Sequence, residues 1–358
     1  MTIGGRGMVR SMMVTGGAGF IGSNFAHYWK HNHPDDEFVI FDALTYSGNR
    51  KNLQGLESSE KFHFVEADIC DFDTVLATLR KFEVDTIVHF AAESHVDRSI
   101  AGPDIFIQTN ILGTHTLLKA AREYWLCDPN RRHRFHHVST DEVYGSLGSG
   151  EPAFHESRQY EPNSPYSASK ASSDHLVRAY SKTYGLQMTM SNCSNNYGPY
   201  QHPEKLIPQT VTNILLGMRI PVYGDGRNIR DWLYVDDHCR GIDFILDKGR
   251  EGETYNIGGN SEKENIKLVK LLCDELQKRF ESDSKLRARF LDCPAARGES
   301  NQGLITMVED RLGHDKRYAI NADKIFAELD FSPKYNFSKG IHHTIDWYLE
   351  NENWWSDL

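Results

Sequence analysis

The chain has 358 residues, of which 39% are hydrophobic and 25% are charged. This composition is typical of a globular protein, and the length predicts two domains or one large domain with an appended lobe. The formal net charge of −10 argues against a nucleic-acid partner, because general nucleic-acid binders commonly carry the opposite sign. The sequence contains no apolar run near the roughly 20 residues of a membrane-spanning helix, so no membrane association is expected.

Short apolar strands alternate with amphipathic helices through the first half of the chain. Strands are predicted at 11–15, 37–41, 62–67, 86–91, 135–139 and 187–191, and helices at 20–29, 71–81, 103–124 and 165–184. Strands that alternate with helices of this length form βαβ units and a parallel sheet. Right-handed crossovers then predict an α/β fold with a doubly wound parallel sheet of the Rossmann type.

The alternation of strands and helices ends after about residue 193, where Pro and Gly become frequent and the segments become irregular. We predict an NAD-binding domain over 8–193 and, mainly over 194–358, a smaller substrate-binding lobe at the carboxyl edge of the sheet, where such folds bind ligands. Within the second range, about 232–258 are expected to return to the first domain. Residues 281–305 are polar and are predicted to form a loop-like surface insertion.

The six cysteines indicate a reducing compartment. They are sparse, none lies in a Cys-x-x-Cys pair, and no secretory signal precedes them. We therefore expect free thiols and a cytoplasmic protein. Residues 1–10 have no apolar core and are interpreted as an unstructured leader.

A glycine-rich turn follows the first predicted strand. Gly16, Gly19 and Gly22 lie in TGGAGFIG, where they permit a tight turn, close approach of the backbone to a pyrophosphate and close packing of the next helix. The N-terminus of that helix presents free N–H groups to phosphates. Asp42 ends the second strand, where an acidic side chain binds the ribose and disfavours a 2′-phosphate, so NAD is predicted over NADP. An Asx turn is the alternative role of Asp42; Asp68, after the third strand, either meets the adenine or caps the next helix.

Tyr166 and Lys170 are four residues apart on the predicted helix 165–184 and therefore share a face. A phenol has a pKa of about 10 and is a poor base at neutral pH. A neighbouring ammonium and a nicotinamide cation both favour the phenolate. After a dinucleotide-binding turn, this spacing predicts a catalytic tyrosine and its lysine.

Two adjacent carboxyl groups, Asp141 and Glu142, follow the fifth strand in STDEVYG. Placing two carboxyl groups there costs free energy, because they repel one another and lose hydration. A chemical role would explain why both are present. One neutral and one ionised carboxyl would form an acid/base pair. The alternative is that both cap the next segment in a solvated loop.

Together these motifs resemble the extended short-chain dehydrogenase/reductase family, in its nucleotide-sugar branch. The resemblance runs from about Ser11 to Trp355 and rests on TGGAGFIGSNF, FAAESHVDRSI, STDEVYG, the Tyr-x-x-x-Lys pair, SNNYGPYQHPEKLIP, GDGRNIRDWLYVDDH and DRLGHDKRYAI. It implies an NAD-dependent hydro-lyase that oxidises dTDP-glucose at C4, eliminates water across C5–C6 and returns the hydride to C6. The product feeds deoxysugar biosynthesis, including rhamnose. A 4,6-dehydratase or 4-epimerase of a UDP, CDP or GDP sugar is the alternative.

The resemblance also implies roles for individual residues. Tyr166 removes the 4-hydroxyl proton while Thr140 forms a hydrogen bond with the 4-oxygen. Glu142 takes the C5 proton and Asp141 protonates the leaving 6-hydroxyl. The expected catalytic residues are Thr140, Asp141, Glu142, Tyr166 and Lys170. The expected cofactor-binding residues are Gly16, Gly19, Phe20, Ile21, Gly22, Asp42, Leu44, Thr45, Asp68, Ile69, Phe90, Ala91, Ala92, Ser94, Thr109, Tyr166, Lys170 and Asn196. The expected substrate-binding residues are Ser94, Thr140, Asn195, Lys205, Leu206, Pro221, Tyr223, Arg230, Asn265, Arg311 and His314.

Two further expectations concern metals and partners. No metal is expected, because the sequence around His95 offers no second ligand at metal-binding spacing. The resemblance implies a homodimer formed through helices 103–124 and 165–184, although an apolar face on these helices could equally be ordinary core.

Overall fold

A computed structural model describes residues 9–358, so all but the last two residues of the predicted leader lie outside the described part of the chain. The described residues form two units. The first comprises the described residues up to Thr140 together with Ser164–Asn192 and Cys239–Tyr255. The second comprises Asp141–Asn163, Cys193–His238 and Asn256–Leu358.

The strands and helices are numbered in chain order. The strands are β1 Ser11–Thr15, β2 Glu37–Asp42, β3 Phe62–Glu66, β4 Thr86–His89, β5 Arg134–Thr140, β6 Met188–Cys193, β7 Asn195–Tyr197, β8 Ile220–Tyr223, β9 Ile229–Tyr234, β10 Thr254–Ile257, β11 Glu262–Glu264 and β12 Ile305–Val308. The helices are α1 Phe20–Asn32, α2 Phe72–Lys81, α3 Val96–Ala101, α4 Asp104–Phe106, α5 Thr114–Trp125, α6 Pro165–Tyr184, α7 Leu206–Leu215, α8 Val235–Lys248, α9 Asn265–Ser282, α10 Ser284–Arg289, α11 Asp323–Leu329, α12 Phe337–Glu350 and α13 Glu352–Ser356.

The first unit is built on a sheet whose strands lie in the order β10-β6-β5-β4-β1-β2-β3. The pairs β1–β2, β2–β3, β1–β4 and β4–β5 are parallel. The chain moves outward from β1 to β3 and then outward the other way from β4, so the order reverses between β1 and β4. This confirms the predicted doubly wound fold, and it places the ligand-binding edge at the carboxyl ends of β1 and β4.

Helix α6 shows how local sequence sets the ends of an element. Ser164 caps its N-terminus and receives the N–H of Ser167, Pro165 occupies the first turn, and Gly185 ends the helix in the left-handed conformation. The predicted range 165–184 is therefore confirmed. The predicted helix 103–124 is also helical, but its middle segment, Ile107–Gly113, is π-helical. Periodicity alone does not reveal such a segment.

The second unit has its own hydrophobic core. Helices α7, α9 and α12 pack with β8 and β9 around buried side chains such as Tyr197, Leu272 and Ile345. Two small sheets belong to this unit, with strand orders β11-β9-β7 and β12-β8. These sheets carry several of the expected substrate-binding residues.

The prediction of a loop-like insertion at 281–305 is wrong. Helix α9 continues to Ser282, α10 follows it, and Phe290, Cys293 and Ala295 are buried. The segment is polar because its outer face is exposed, while a few apolar side chains anchor it in the core of the second unit. No helix within residues 9–358 is long and apolar enough to cross a membrane.

Candidate active site

The glycine turn between β1 and α1 leaves backbone N–H groups open. Gly16 has a φ of 68°, and its N–H donates to Phe41 O at 2.9 Å. A Cβ on Gly16 would lie 2.6 Å from the nitrogen of Ala91, and one on Gly22 would lie 2.2 Å from the oxygen of Gly16. Gly19 caps α1 without a side chain over the helix end. Bare backbone at a helix N-terminus fits the diphosphate of a dinucleotide, with Phe20 and Ile21 in the first turn of α1.

Asp42 joins the glycine turn to the loop after β2. Its Oδ2 accepts the N–H of Ala18 at 2.9 Å, and its Oδ1 accepts that of Leu44 at 2.8 Å. Burial raises the pKa of Asp42, and the two N–H donors oppose that shift. The Asx turn is therefore present, and a carboxylate oxygen has lone pairs left for ribose hydroxyls. Thr45 lies in the same loop.

Asp68 does not cap the next helix. Helix α2 begins at Phe72, and its N-cap is Asp71, whose Oδ1 accepts the N–H of Thr74 at 3.1 Å. Asp68 instead accepts the N–H of Cys70 at 2.8 Å. The helix-cap alternative for Asp68 is wrong, because α2 starts three residues later than that role requires.

The other expected cofactor-binding residues of the first unit lie beyond the carboxyl ends of strands or in the π-helical segment. Ile69 follows β3, Phe90 N donates to Thr15 O at 3.0 Å at the ends of β4 and β1, and Thr109 lies in the π-helical segment. Ala91, Ala92 and Ser94 continue the loop after β4. Asn196 belongs to the second unit, where its Oδ1 lies 3.0 Å from Nδ1 of His238.

We expect Gly22→Ala to weaken NAD binding at least tenfold and to lower the free energy of unfolding by about 1–3 kcal/mol, because the new methyl group must displace backbone. Titration of the cofactor-free protein with NAD and a melting curve measure the two effects. Gly102→Ala is the matched control, since a Cβ there meets nothing within 4 Å. Unchanged NAD affinity in Gly22→Ala would contradict the role given to this turn.

Tyr166 and Lys170 lie on one face of α6, and both are buried. The Nζ atom of Lys170 donates to the carbonyl of Val138 on β5 at 2.9 Å. Val138 precedes Thr140 by two residues at the carboxyl end of that strand. The first unit thus holds a phenol and an ammonium on α6 and a hydroxyl at the carboxyl end of β5, groups whose chemistry suits removal of a proton from a hydroxyl.

The two carboxyl groups open the second unit in a turn of 3-10 helix, Asp141–Tyr144. Burial raises the pKa of Asp141 well above its ordinary value, and the charges of Glu142 and Asp231 add to the shift. Burial also raises the pKa of Glu142, but Arg230 and Lys205 oppose it. Asp141 is 1% exposed, so the solvated-loop alternative is wrong. The pKa of Asp141 is thus raised further than that of Glu142, so two adjacent carboxyl groups have different environments, as an acid/base pair requires.

We expect Asp141→Asn to raise the apparent Tm at about pH 8 by about 2–4 °C, although it removes a functional group. A carboxyl whose pKa is higher in the folded chain than in the unfolded chain stabilises the fold fully below the unfolded pKa of about 3.9. That contribution is lost as the pH rises through the folded pKa. Melting curves of both proteins should therefore diverge as the pH rises, and equal Tm values at all pH values would contradict this.

Arg230 is held by groups that sequence reasoning missed. Its Nη2 donates to the carbonyl of Asp315 at 3.0 Å, and its guanidinium lies 4.1 Å from the ring centre of Tyr318. The Tyr318 hydroxyl donates to Oδ2 of Asp315 at 2.5 Å. The signal was present in DRLGHDKRYAI, where an acid and an aromatic residue follow His314.

The remaining expected substrate-binding residues lie in the second unit, except Ser94 and Thr140. Buried side-chain atoms with no protein partner within the described residues occur here: Asn195 Oδ1 on β7, Trp232 Nε1 on β9 and Asn265 Oδ1 at the start of α9. Buried polar atoms of this kind indicate a polar ligand. The other expected residues are Lys205 and Leu206 at the start of α7, Pro221 and Tyr223 on β8, and Arg311 and His314 in the loop after β12.

The loop after β12 contains further charged contacts within the second unit. The Nδ1 atom of His314 lies 2.6 Å from Oδ1 of Asp310, and the guanidinium of Arg311 lies 5.1 Å from the ring centre of Tyr223. Together with Lys205 and Arg230, these cations suit an anionic ligand such as a diphosphate. The described residues include no group of three side chains placed to hold a metal ion.

Comparison with known proteins gives consistent results. Residues 13–344 match the family model described as GDP-mannose 4,6 dehydratase. The chain is 51% identical over 345 residues to a dTDP-glucose 4,6-dehydratase of Xanthomonas campestris pv. campestris (strain B100), covering 96% of this chain and 94% of the relative. It is 49% identical over 354 residues to one of Shigella flexneri, with the same coverage. It is also similar to the crystal structure of DesIV, a dTDP-glucose 4,6-dehydratase from Streptomyces venezuelae solved with NAD bound, at a TM-score of 0.86 and 47% identity, covering 97% of this chain and 99% of that one.

Proposed function

The chain belongs to the family described as GDP-mannose 4,6 dehydratase, and we propose that it converts dTDP-glucose into dTDP-4-keto-6-deoxyglucose with NAD as cofactor. The observation that carries this proposal is the carboxyl pair directly after Thr140 in the chain, in which Asp141 is buried and Glu142 is partly buried. An epimerase needs only the redox tyrosine and its lysine. Elimination of water needs an additional acid and an additional base on the sugar.

The first unit binds the cofactor and begins the reaction. The glycine turn binds the diphosphate through backbone N–H groups, and Asp42 accepts from the ribose hydroxyls. The chemistry that bound NAD supplies is acceptance of the C4 hydride and its later return to C6. Tyr166 Oη takes the proton of the 4-hydroxyl, and the charge of Lys170 favours the phenolate. The hydroxyl of Thr140 forms a hydrogen bond with the 4-oxygen of the sugar.

The carboxyl pair performs the elimination. A ketone at C4 acidifies the hydrogen at C5, and the Glu142 carboxylate removes it. Asp141 gives its proton to the leaving 6-hydroxyl, which departs as water. The pKa shifts support these roles, since the pKa of Asp141 is raised further than that of Glu142 and three cations, Arg230, Lys205 and Arg311, oppose the shift of Glu142.

The nucleotide is held by the second unit in this proposal. Lys205 and Arg230 bind the diphosphate, because cations form charge-assisted hydrogen bonds with phosphate oxygens. Arg230 is fixed in place by the carbonyl of Asp315 and the ring of Tyr318. Three further residues are proposed to contact the nucleotide: Tyr223 on β8, and Arg311 and His314 in the loop after β12.

We also propose a cytoplasmic homodimer. All six cysteines are free, which suits a reducing compartment.

The dimer is proposed from exposed apolar and aromatic side chains on the segment from α4 to α5 and on α6. They are 41–51% exposed and comprise Ile105, Ile107, Leu112 and Tyr184. A second copy that buried these side chains would complete a helix bundle. Sedimentation should show a dimer, and Ile107→Asp should shift it to monomer.

The proposed reaction is tested by incubating the protein with dTDP-glucose in deuterated water and measuring the product mass. Loss of one water with one deuterium at C5 is the expected result. Parallel incubations with UDP-, CDP- and GDP-glucose measure the base preference. Isomerisation of dTDP-glucose without water loss would mean an epimerase, and turnover of another nucleotide sugar alone would overturn the assigned base.

A further inference from the structure

Asp174 is a fully buried carboxyl group that the proposed mechanism does not use. It lies on α6, four residues after Lys170 and eight after Tyr166, so all three share one face of the helix. Its Oδ1 lies 3.0 Å from Nε2 of His137, and its Oδ2 accepts the hydroxyl of Ser139 at 2.9 Å. Both partners are on β5, so one side chain of the helix holds two side chains of the strand.

The residue between these two partners binds the catalytic lysine. His137 and Ser139 are two residues apart on β5, so their side chains point to the same face of the sheet. Val138 lies between them, and its carbonyl accepts Nζ of Lys170. The positions of the Val138 carbonyl and of Thr140, the next residue after Ser139, therefore depend on the contacts that Asp174 makes.

The hydrogen-bond roles at Asp174 follow from the state of His137. Complete burial, together with the charge of Lys170, holds the pKa of His137 well below its ordinary value. The ring is therefore neutral and carries one N–H. Its Nδ1 has no hydrogen-bond partner within the described residues, so Nε2 carries the proton and donates to Asp174.

We propose that Asp174 is a positioning residue for the reaction. It fastens α6 to β5 on both sides of Val138 and thereby keeps Lys170 and Tyr166 in register with Thr140. Without it, two donors on the strand lose their acceptor inside the first unit, and the helix can shift against the strand. A displacement of about 1 Å in a catalytic group can lower a rate by about 10²-fold. This inference rests on the proposed function.

The test compares Asp174→Ala with Asp174→Asn. The alanine variant removes both contacts, and we expect kcat to fall by about 10²-fold. KM for dTDP-glucose should change by less than about twofold, because the cations proposed to bind its diphosphate belong to the second unit. Asparagine can accept from His137 and donate to the Ser139 hydroxyl, so Asp174→Asn should recover kcat to within about fivefold of the unaltered enzyme.

Ser139→Ala provides an independent variant in case Asp174→Ala does not fold. It removes one of the two strand contacts and should lower kcat by about tenfold. If Asp174 and Ser139 act through one contact, the losses in Asp174→Asn and Ser139→Ala will not add in the double variant.

Asp237→Ala is the matched control for loss of a buried carboxyl. Asp237 is fully buried and accepts the N–H groups of Lys334 and Tyr335 at 2.8 Å each, in the second unit. We expect it to lower the melting temperature with kcat within about threefold. Equal loss of kcat in Asp174→Ala and Asp237→Ala, or no rescue by Asp174→Asn, would overturn the inference. Absence of dTDP-glucose turnover by the unaltered enzyme would instead overturn the proposed function.

Discussion

Glu142→Gln should reduce the rate of water loss from dTDP-glucose by about 10²–10⁴-fold while leaving oxidation at C4 detectable. The amide cannot take the C5 proton, but Tyr166 and Lys170 remain to start the reaction. The variant should therefore accumulate enzyme with reduced nicotinamide when substrate is added. The near-ultraviolet absorbance of reduced nicotinamide and the mass of the sugar product measure the two halves of the reaction separately.

The matched control for this change is Glu299→Gln. Glu299 forms an exposed ion pair with Arg297 in the second unit, and loss of an exposed pair has little effect on stability. Its rate of water loss should equal that of the unaltered enzyme. Dehydration at full rate by Glu142→Gln would remove Glu142 from the mechanism and would leave the C5 proton to another base.

Tyr166→Phe should abolish both halves of the reaction, with a fall in kcat of about 10²–10⁴-fold and no reduced nicotinamide after addition of substrate. Phenylalanine keeps the ring and its edge-on contact with Phe106, so the helix face remains packed. It loses the oxygen that takes the 4-hydroxyl proton. Since elimination requires the 4-ketone, water loss fails together with oxidation.

Tyr180→Phe is the matched control on the same helix. The Tyr180 hydroxyl lies 3.2 Å from Nδ1 of His115 and has no role in the proposed chemistry. This variant should keep full activity. Taken together, Tyr166→Phe and Glu142→Gln separate the redox step from the elimination step, and identical behaviour of the two variants would contradict that division.

The fold and the first half of the site were largely predictable from the sequence. The glycine turn, Asp42 and the Tyr166–Lys170 spacing are local patterns, and each lies on the element that the pattern predicts. The π-helical segment Ile107–Gly113 and strand β10 were not predicted. The first has an ordinary helical pattern, and the second is a short run whose partner, β6, lies about 60 residues earlier in the chain.

The surroundings of the catalytic groups were less predictable because they depend on tertiary contacts. Nothing in the sequence places Tyr318 against Arg230, or Asp174 between His137 and Ser139. The carboxyl pair was found from its adjacency, but its two different environments come from burial and from cations far along the chain. In the proposed mechanism, long-range packing therefore decides which carboxyl is the acid and which is the base.

The interleaving of the two units along the chain has a consequence for biosynthesis. Strand β10 lies at one edge of the central sheet, beside β6. Just before β10, the N–H of Gly252 donates to the carbonyl of Met188 in β6 at 2.8 Å. A ribosome makes β6 about 60 residues before β10, so the nascent chain carries an open sheet edge through that interval. A chain truncated near residue 193 lacks β10, so its sheet edge should stay open and the protein should aggregate. During synthesis, the first unit can be completed only after the chain has left the ribosome to well past residue 255.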